Sequence, residues 1–295
     1  MRERVISVGQ INPLFGIICE PEATANSPEN SPENGPENSP ENVAVVLLNS
    51  GVIHRVGSCR LSVTLARSIA EHAGLVAVRF DFSGVGDSEA RRSTLTAAES
   101  AVGEVQEVMD YLAREKKIDR FILYGLCSGA YASYRTALKD PRVIGVAQID
   151  GYCYMSWKSY LHHYVPRVCS TERWVGLAQR ILGIKKAKSG AAVSNVEARF
   201  FEVPNFGNFP PKAEVSAGLA SLIKRGVEFF NVFCSSEYYN YENQYLDCFN
   251  QIPFANKLSL LYLVNTSHIV AEPEEQQKVV RGITLWAKAL ARKPL

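Results

Sequence analysis

The sequence lacks the features typical of membrane, metal-binding and nucleic-acid-binding proteins. No stretch approaches the roughly 18 apolar residues of a membrane helix, and residues 1–7 lack the apolar core of a signal peptide. The 32 basic and 30 acidic side chains nearly balance at a net charge of +2, so no overall field attracts nucleic acid or an anionic membrane. We therefore expect a small-molecule or protein partner, no nucleic acid and no membrane span.

Cysteine is present, but not in a pattern that builds a metal site or a disulfide framework. The seven cysteines form no C-x-x-C pair, and an odd number cannot close completely into internal disulfides. The string G-V-G at residues 84–86 lacks the G-x-G-x-x-G spacing of a dinucleotide-binding turn. We therefore expect no metal and no cofactor, and a reducing cytoplasm as the location.

The chain is long and apolar enough for one large core, with 295 residues of which 46% are hydrophobic. From residue 43 onward, apolar runs of strand length alternate with amphipathic helices, which predicts a mainly parallel sheet flanked by helices. Thr96 and Glu99 have the spacing of a capping box at the start of one helix. The last helix places six residues on one apolar face: Val279, Val280, Ile283, Trp286, Ala287 and Leu290.

A low-complexity segment interrupts the early part of the chain. Residues 27–42 read S-P-E-N, S-P-E-N, G-P-E-N, S-P-E-N with nothing to bury, which predicts a disordered or extended surface loop. Apolar, strand-like residues 14–19 and 43–48 flank this loop. We therefore expect an expanded hairpin connection, which costs little loop entropy.

The alternation of strands and helices breaks again after residue 151. Residues 152–224 are aromatic, basic and irregular, and strand-like residues resume at 227. We predict one domain whose core comprises residues 1–151 and 225–295, with residues 152–224 inserted as a lid. An insertion at this point could cover the carboxyl ends of the strands.

The most informative motif is the string Y-G-L-C-S-G-A at residues 124–130, which follows a strand and opens a helix. This is the context of a nucleophile elbow, a strained turn that exposes its central side chain. Glycines two positions before and after the nucleophile let strand and helix approach closely. Gly125 and Gly129 stand in those positions around Cys127, whereas Ser128 would lack flanking glycines. We therefore predict that Cys127 is the nucleophile; the alternative is a buried structural cysteine beside an ordinary tight turn.

Two further motifs indicate a family. Residues 79–88 read R-F-D-F-S-G-V-G-D-S, with a D-x-x-G-x-G-x-S turn, and residues 49–60 contain N-x-G-x-x-x-R-V-G-S-x-R. Together with the elbow, they resemble the α/β-hydrolase superfamily over nearly the whole chain. The closer resemblance is to its exosortase A system-associated members, through these strings and Y-L-H-H-Y at residues 160–164. The resemblance implies an α/β-hydrolase fold with an inserted lid, and a triad in the order nucleophile, acid, histidine.

The resemblance also indicates the partners of Cys127. Each later triad member follows a strand in this superfamily, and His268 follows the last strand as the only histidine beyond residue 163. The acid is expected after the strand that ends at Phe233, which selects Glu237, with Asp247 in reserve. His268 would act as the base, and Glu237 would hold its imidazole in the useful tautomer.

Backbone N–H groups are expected to form the oxyanion hole. One donor belongs to Ser128 at the start of the helix, and the superfamily alignment places the other at Val52, beside Gly51. His54 and Arg55 lie near that loop and could orient substrate, with a plain surface role as the alternative.

A cysteine nucleophile makes a thioester acyl-enzyme, which amines, thiols and hydroxyls attack more readily than an oxygen ester. We predict an acyl hydrolase of esters, thioesters or lactones that uses a Cys-His-Glu triad, with an acyltransferase or cyclase as the alternative. Superfamily relatives with a cysteine elbow include dienelactone hydrolases and polyhydroxyalkanoate synthases, which hydrolyse and transfer, respectively. A non-catalytic binding module would predict a missing base or a broken elbow, and neither is seen.

The basic run at residues 185–188 could bind a carrier- or coenzyme A-bound substrate, or it could be an ordinary solvated loop.

Overall fold

The computed structural model describes residues 1–22, 42–91, 94–154, 156–159, 161, 209–235, 239 and 241–294. The strands of this part of the chain are β1 (Arg2–Val8), β2 (Leu14–Glu20), β3 (Val43–Leu47), β4 (Val76–Phe80), β5 (Arg120–Leu126), β6 (Val143–Ile149), β7 (Glu228–Cys234) and β8 (Leu258–Leu263). They form one sheet in the order β1-β2-β4-β3-β5-β6-β7-β8. The β1–β2 and β2–β4 pairs are antiparallel, and the other pairs are parallel. The sheet is thus mainly parallel, as predicted.

The described helices are α1 (Leu61–Ser68), α2 (Ala97–Lys116), α3 (Ser128–Lys139), α4 (Lys212–Arg225), α5 (Gln244–Cys248) and α6 (Pro273–Ala291). The predicted capping box is confirmed at the start of α2. Oγ1 of Thr96 accepts the N–H of Glu99 at 3.3 Å, and the Glu99 carboxylate accepts the N–H of Thr96 at 2.9 Å. Among these helices, none combines the length and the apolar composition needed to cross a membrane.

Helices cover both faces of the sheet. α2, α3, α4 and α5 pack on one face, and α1 and α6 pack on the other. Every residue of β3, β5 and β7 is buried, because a parallel sheet between two helical layers has no solvent-facing side. The predicted apolar face of α6 is confirmed: Val279, Val280, Ile283, Ala287 and Leu290 are buried, and Trp286 packs against them.

The expected hairpin between residues 14–19 and 43–48 is wrong. β2 pairs antiparallel with β4, and β4 lies between β2 and β3 in the sheet. β2 instead forms its antiparallel hairpin with β1, which the sequence analysis did not predict as a strand. Strands that are consecutive in the sequence are neighbours in the sheet in roughly two-thirds of cases, and β2 and β3 are an exception. All of the repeat before residue 42 lies outside the described residues.

Most of the predicted lid, including residues 162–208, also lies outside the described residues, so the lid stays a prediction. The chain is described again from Phe209, just before α4. Val215 and Leu219 of α4 are buried in the same apolar layer as α3. The hydroxyl of Tyr134 on α3 donates a hydrogen bond to the carbonyl of Val215 at 3.1 Å, which fixes the two helices side by side.

Candidate active site

The carboxyl ends of β5, β6, β7 and β8 lie at one edge of the sheet, because these strands are parallel neighbours. Cys127 directly follows β5, and Asp150 directly follows β6. His268 lies in the loop between β8 and α6. Side chains from three separate parts of the chain therefore meet at this edge.

Cys127 forms the turn between β5 and α3. Its backbone has a φ of 53° and a ψ of −114°, a conformation that a non-glycine residue rarely adopts and that is typical of strained functional sites. A Cβ atom on Gly125 would lie 2.1 Å from the carbonyl carbon of Gly129, and one on Gly129 would lie 2.5 Å from the carbonyl oxygen of Asn49. Only glycine fits at both positions, so the close approach predicted for an elbow centred on Cys127 is present.

The imidazole of His268 is bonded to a buried carboxylate. Nδ1 of His268 lies 2.5 Å from Oδ2 of Asp150, whose side chain is 2% exposed. The other carboxylate oxygen accepts the backbone N–H of Cys234 at 2.8 Å. Because Asp150 is held on two sides, it fixes the orientation of the imidazole and leaves Nε2 for another partner.

These contacts raise the pKa of His268 from 6.5 to about 10. The hydrogen bond with Asp150 is the largest cause, and a hydrogen bond with the Cys127 thiol is the second. Burial acts in the opposite direction because it disfavours the charged ring. The site therefore favours an imidazolium ion at His268, beside Cys127.

Asp150 is the site residue that the sequence analysis missed. The predicted acid, Glu237, lies outside the described residues. The reserve acid, Asp247, is engaged elsewhere: its two carboxylate oxygens accept from Nζ of Lys158, each at 3.0 Å, and one also accepts from the Tyr241 hydroxyl at 2.8 Å. Its assignment as a triad acid therefore does not agree with the structure. The available signal was the position of Asp150 directly after an apolar strand, the same kind of place that Cys127 occupies.

The predicted oxyanion donors lie beside the elbow. Ser128 is the first residue of α3, so its N–H has no partner within the helix. Oγ of Ser128 accepts the N–H of Gly51 at 2.7 Å, which holds the loop after β3 against the elbow. Gly51 is therefore not an oxyanion donor, whereas the N–H of Val52 donates to none of the described residues. The side chain of His54, on the same loop, is exposed.

A buried carboxylate fixes the shape of this loop. Asp81 is fully buried, accepts the N–H of Arg55 at 2.5 Å and forms an ion pair with the Arg55 guanidinium group. Asn49 donates to the carbonyl of Ile53 at 2.9 Å and accepts the N–H of Phe82 at 2.7 Å. The two motifs that resemble the superfamily therefore bind each other. The guanidinium group of Arg55 pairs with Asp81 and Asp87 and thereby helps to shape the loop.

An aromatic cluster joins α3 to the first residue of the predicted lid and to Phe209 within it. Tyr131 and Tyr152 stack with ring centroids 4.3 Å apart, and Phe209 meets these rings edge-on at 5.3 and 5.4 Å. The N–H of Tyr131 donates to the carbonyl of Cys127 at 3.1 Å, so the cluster lies one helical turn from Cys127. Tyr152 and Phe209, which lie on either side of the undescribed residues 162–208, are thus packed together next to α3.

Comparisons with known proteins support the fold. No protein-family model matches the chain, and no curated protein matches it. Its structure is similar to that of an α/β serine hydrolase homologue from Coxiella burnetii, at 17% identity over 96% of this chain and 97% of that chain, with a TM-score of 0.54. It is also similar to the esterase domain of a Rhodothermus marinus protein, at 14% identity over 98% and 99% of the chains and a TM-score of 0.55. A third similar structure is DcsB in complex with its substrate analogue, at 14% identity over 98% and 99% and a TM-score of 0.56. The chain has the α/β-hydrolase fold.

Proposed function

We propose that this chain is a cysteine-dependent acyl hydrolase that acts on esters, thioesters or lactones through Cys127, His268 and Asp150. The observation that carries the proposal is the imidazole of His268, which bonds the buried Asp150 through Nδ1 and has the Cys127 thiol as its second partner. A nucleophile, a base and a group that orients the base are the three parts of a catalytic triad. Asp150 takes the role that the sequence analysis gave to Glu237.

The first half of the reaction forms a covalent acyl-enzyme. His268 takes the thiol proton of Cys127, and the thiolate attacks the acyl carbon. The N–H groups of Ser128 and Val52 donate hydrogen bonds to the oxyanion of the tetrahedral intermediate. When the bond to the leaving group breaks, His268 returns its proton to that group. The acyl group is then held on Cys127 as a thioester.

The second half releases the acid. His268 takes a proton from water, and the resulting hydroxide attacks the thioester carbon. Collapse of this second tetrahedral intermediate returns the proton to the sulfur of Cys127 and releases the free carboxylic acid. Asp150 stays ionised throughout and stabilises the imidazolium form of His268.

Acyl transfer is the second candidate, and the cysteine itself favours it. A thioester acyl-enzyme reacts readily with amines, thiols and hydroxyls. An acceptor that displaced water from the site would therefore receive the acyl group. The acyl donor would be a small molecule, free or attached to coenzyme A or a carrier protein. The basic run suggested to meet such a carrier, residues 185–188, lies outside the described residues. A non-catalytic binding module accounts less well for the contacts of His268.

Trapping the acyl-enzyme tests the proposal. The protein is incubated briefly with p-nitrophenyl butyrate, quenched with acid and examined by intact mass and peptide mapping, which should locate one butyryl group on Cys127. Cys127→Ala should lose both the adduct and the turnover. Cys59→Ala removes an exposed cysteine outside the triad and should keep both. A butyryl adduct of equal yield in Cys127→Ala would contradict the proposal.

Product partitioning separates hydrolysis from transfer. With the acyl donor fixed, an amine, a thiol or an alcohol is added in increasing concentration to compete with water for the acyl-enzyme. A hydrolase should give the free acid as the only product with every acceptor. An acylated acceptor that increases with acceptor concentration would establish transfer instead.

A further inference from the structure

Two cysteines outside the triad lie side by side in the fold. The sulfur atoms of Cys153 and Cys248 are 3.8 Å apart, although the residues are separated by 95 positions in the sequence. Both side chains are buried, with exposures of 4% and 3%. Cys153 follows Asp150 by three residues, and Cys248 is the last residue of α5. The proposed reaction uses neither thiol.

The surroundings of the two thiols differ. Cys248 lines a surface cavity of about 490 Å³ together with Lys212 and Ser216 at the start of α4, whereas Cys153 is not among the described residues of its wall. The Cys153 thiol donates a hydrogen bond to the Cys248 sulfur, and this bond is the largest cause of a lowered pKa at Cys248. The charge of Lys212 acts in the same direction, whereas burial and the Asp247 carboxylate act in the opposite direction. Of the two cysteines, Cys248 is therefore the one that borders the cavity and the one with the lower pKa.

Two other buried cysteines lack this arrangement. The Cys19 thiol donates to the carboxylate of Glu3 at 3.2 Å, and burial raises the pKa of Cys19 to about 12. Burial also raises the pKa of Cys234, and the neighbouring carboxylate of Asp150 acts in the same direction. In the described part of the chain, neither sulfur forms a hydrogen bond with another cysteine. Cys19 and Cys234 are therefore internal references for an unreactive buried thiol.

We propose that Cys153 and Cys248 form a thiol–disulfide exchange site for low-molecular-weight disulfides of the glutathione type. The Cys248 thiolate attacks one sulfur of the small disulfide, whose S–S bond breaks to give a mixed disulfide and one released thiol. The Cys153 thiolate then attacks the Cys248 sulfur and displaces the second thiol. Two protein thiols are oxidised to one disulfide, and one small disulfide is reduced to two thiols that take up the two protons.

The cross-link needs only a small movement. The sulfur atoms must close from 3.8 Å to the roughly 2.05 Å of a disulfide bond, which is a shift on the scale of a side chain. Cys248 already contacts the backbone beside Cys153: in its neutral state its thiol donates a hydrogen bond to the carbonyl of Tyr154, the next residue, at 2.7 Å. The disulfide would tie the first residues of the predicted lid to α5 in a way that a reductant reverses.

The test uses a Cys127→Ala background, so that the catalytic thiol does not react. After incubation with oxidised glutathione, denaturation, alkylation and peptide mapping should show a loss of two free thiols and peptides linked through Cys153 and Cys248. Cys153→Ser in this background should stop at a glutathione adduct on Cys248, and Cys248→Ser should give neither product. Cys19→Ser is the matched control and should form the same disulfide as its parent.

Two results would overturn the proposal. One is full alkylation of both Cys153 and Cys248 after oxidation; the other is a linkage of either residue to a different cysteine. Cys153→Ala replaces Cys153→Ser if a buried hydroxyl at that position prevents folding. Because these readouts are masses rather than turnover, they stand apart from the proposed hydrolase activity.

Discussion

At the scale of single residues, the catalytic proposal depends on the carboxylate that orients His268. Asp150 adopts a φ of 50°, in the left-handed region that most non-glycine residues avoid. Its N–H donates to the carbonyl of Val232 at 2.9 Å, and its carboxylate accepts the N–H of Cys234. Both hydrogen bonds are to residues of β7, so this strand holds the strained backbone and the carboxylate of Asp150 in place beside His268. Strained backbone conformations of this kind cluster at functional sites.

Replacing this carboxylate by an amide should have a large effect on turnover. Asp150→Asn should lower kcat by up to about 10⁴-fold, because an amide neither stabilises the imidazolium ion nor keeps the useful tautomer. The measurement is steady-state hydrolysis of a p-nitrophenyl ester. The matched control is Glu237→Gln, which should stay near the unsubstituted rate. A greater loss in Glu237→Gln than in Asp150→Asn would return the role of the acid to Glu237.

The raised pKa of His268 makes the stability of the fold depend on pH. Because the folded protein holds the proton more tightly than the unfolded chain, with a pKa of about 10 against 6.5, the imidazolium stabilises the fold fully below pH 6.5. This contribution is lost as the pH rises toward 10. Urea unfolding of the protein and of His268→Gln at several pH values should give a stability difference that shrinks over this range. A difference that grows with pH would contradict the ion pair.

At the scale of elements, the elbow requires close contact between β5, α3 and the loop after β3. Gly129→Ala places a Cβ 2.5 Å from the carbonyl oxygen of Asn49 and should destabilise the protein by about 1–3 kcal/mol. Gly103→Ala, in the middle of α2 with nothing within 4 Å of the new Cβ, should stabilise it by about 0.4–1 kcal/mol. Chemical denaturation measures both changes. Equal stabilities for the two variants would show that α3 does not need to approach Asn49 so closely.

The hydroxyl of Ser128 positions the loop that carries Val52, the second of the proposed oxyanion donors. Ser128→Ala keeps its own N–H but removes the acceptor of the Gly51 N–H, so Val52 is held less firmly. A hydrogen bond contributes about 1 kcal/mol net, which predicts a decrease in kcat of roughly five- to tenfold with KM little changed. The control is Ser133→Ala, whose hydroxyl donates only to Gly129 within the same helix. A loss confined to KM in Ser128→Ala would instead indicate a substrate contact.

At the scale of the whole molecule, the features that could be predicted from the sequence are the local ones. The elbow depends on the steric demands of a single turn, and the capping box depends on residues three apart. The pairing of β2 with β4 and the contact of Asp150 with His268, 118 residues away, depend on how the sheet assembles. β1 was missed because Arg2, Glu3 and Arg4 give it a charged, edge-strand composition rather than an apolar run.

The three residues of the proposed triad are divided along the chain. Cys127 and Asp150 precede the predicted lid and His268 follows it, while β6 and β7 from the two sides pair directly within the sheet. Cutting the chain within residues 162–208 would give one polypeptide with a nucleophile but no base and another with a base but no nucleophile. Ester cleavage would then occur only where the two polypeptides reassemble through that strand pair. A chain divided in this way would therefore test the proposed triad as a split reporter, in which fluorescence from a caged ester records the meeting of two proteins fused to its halves.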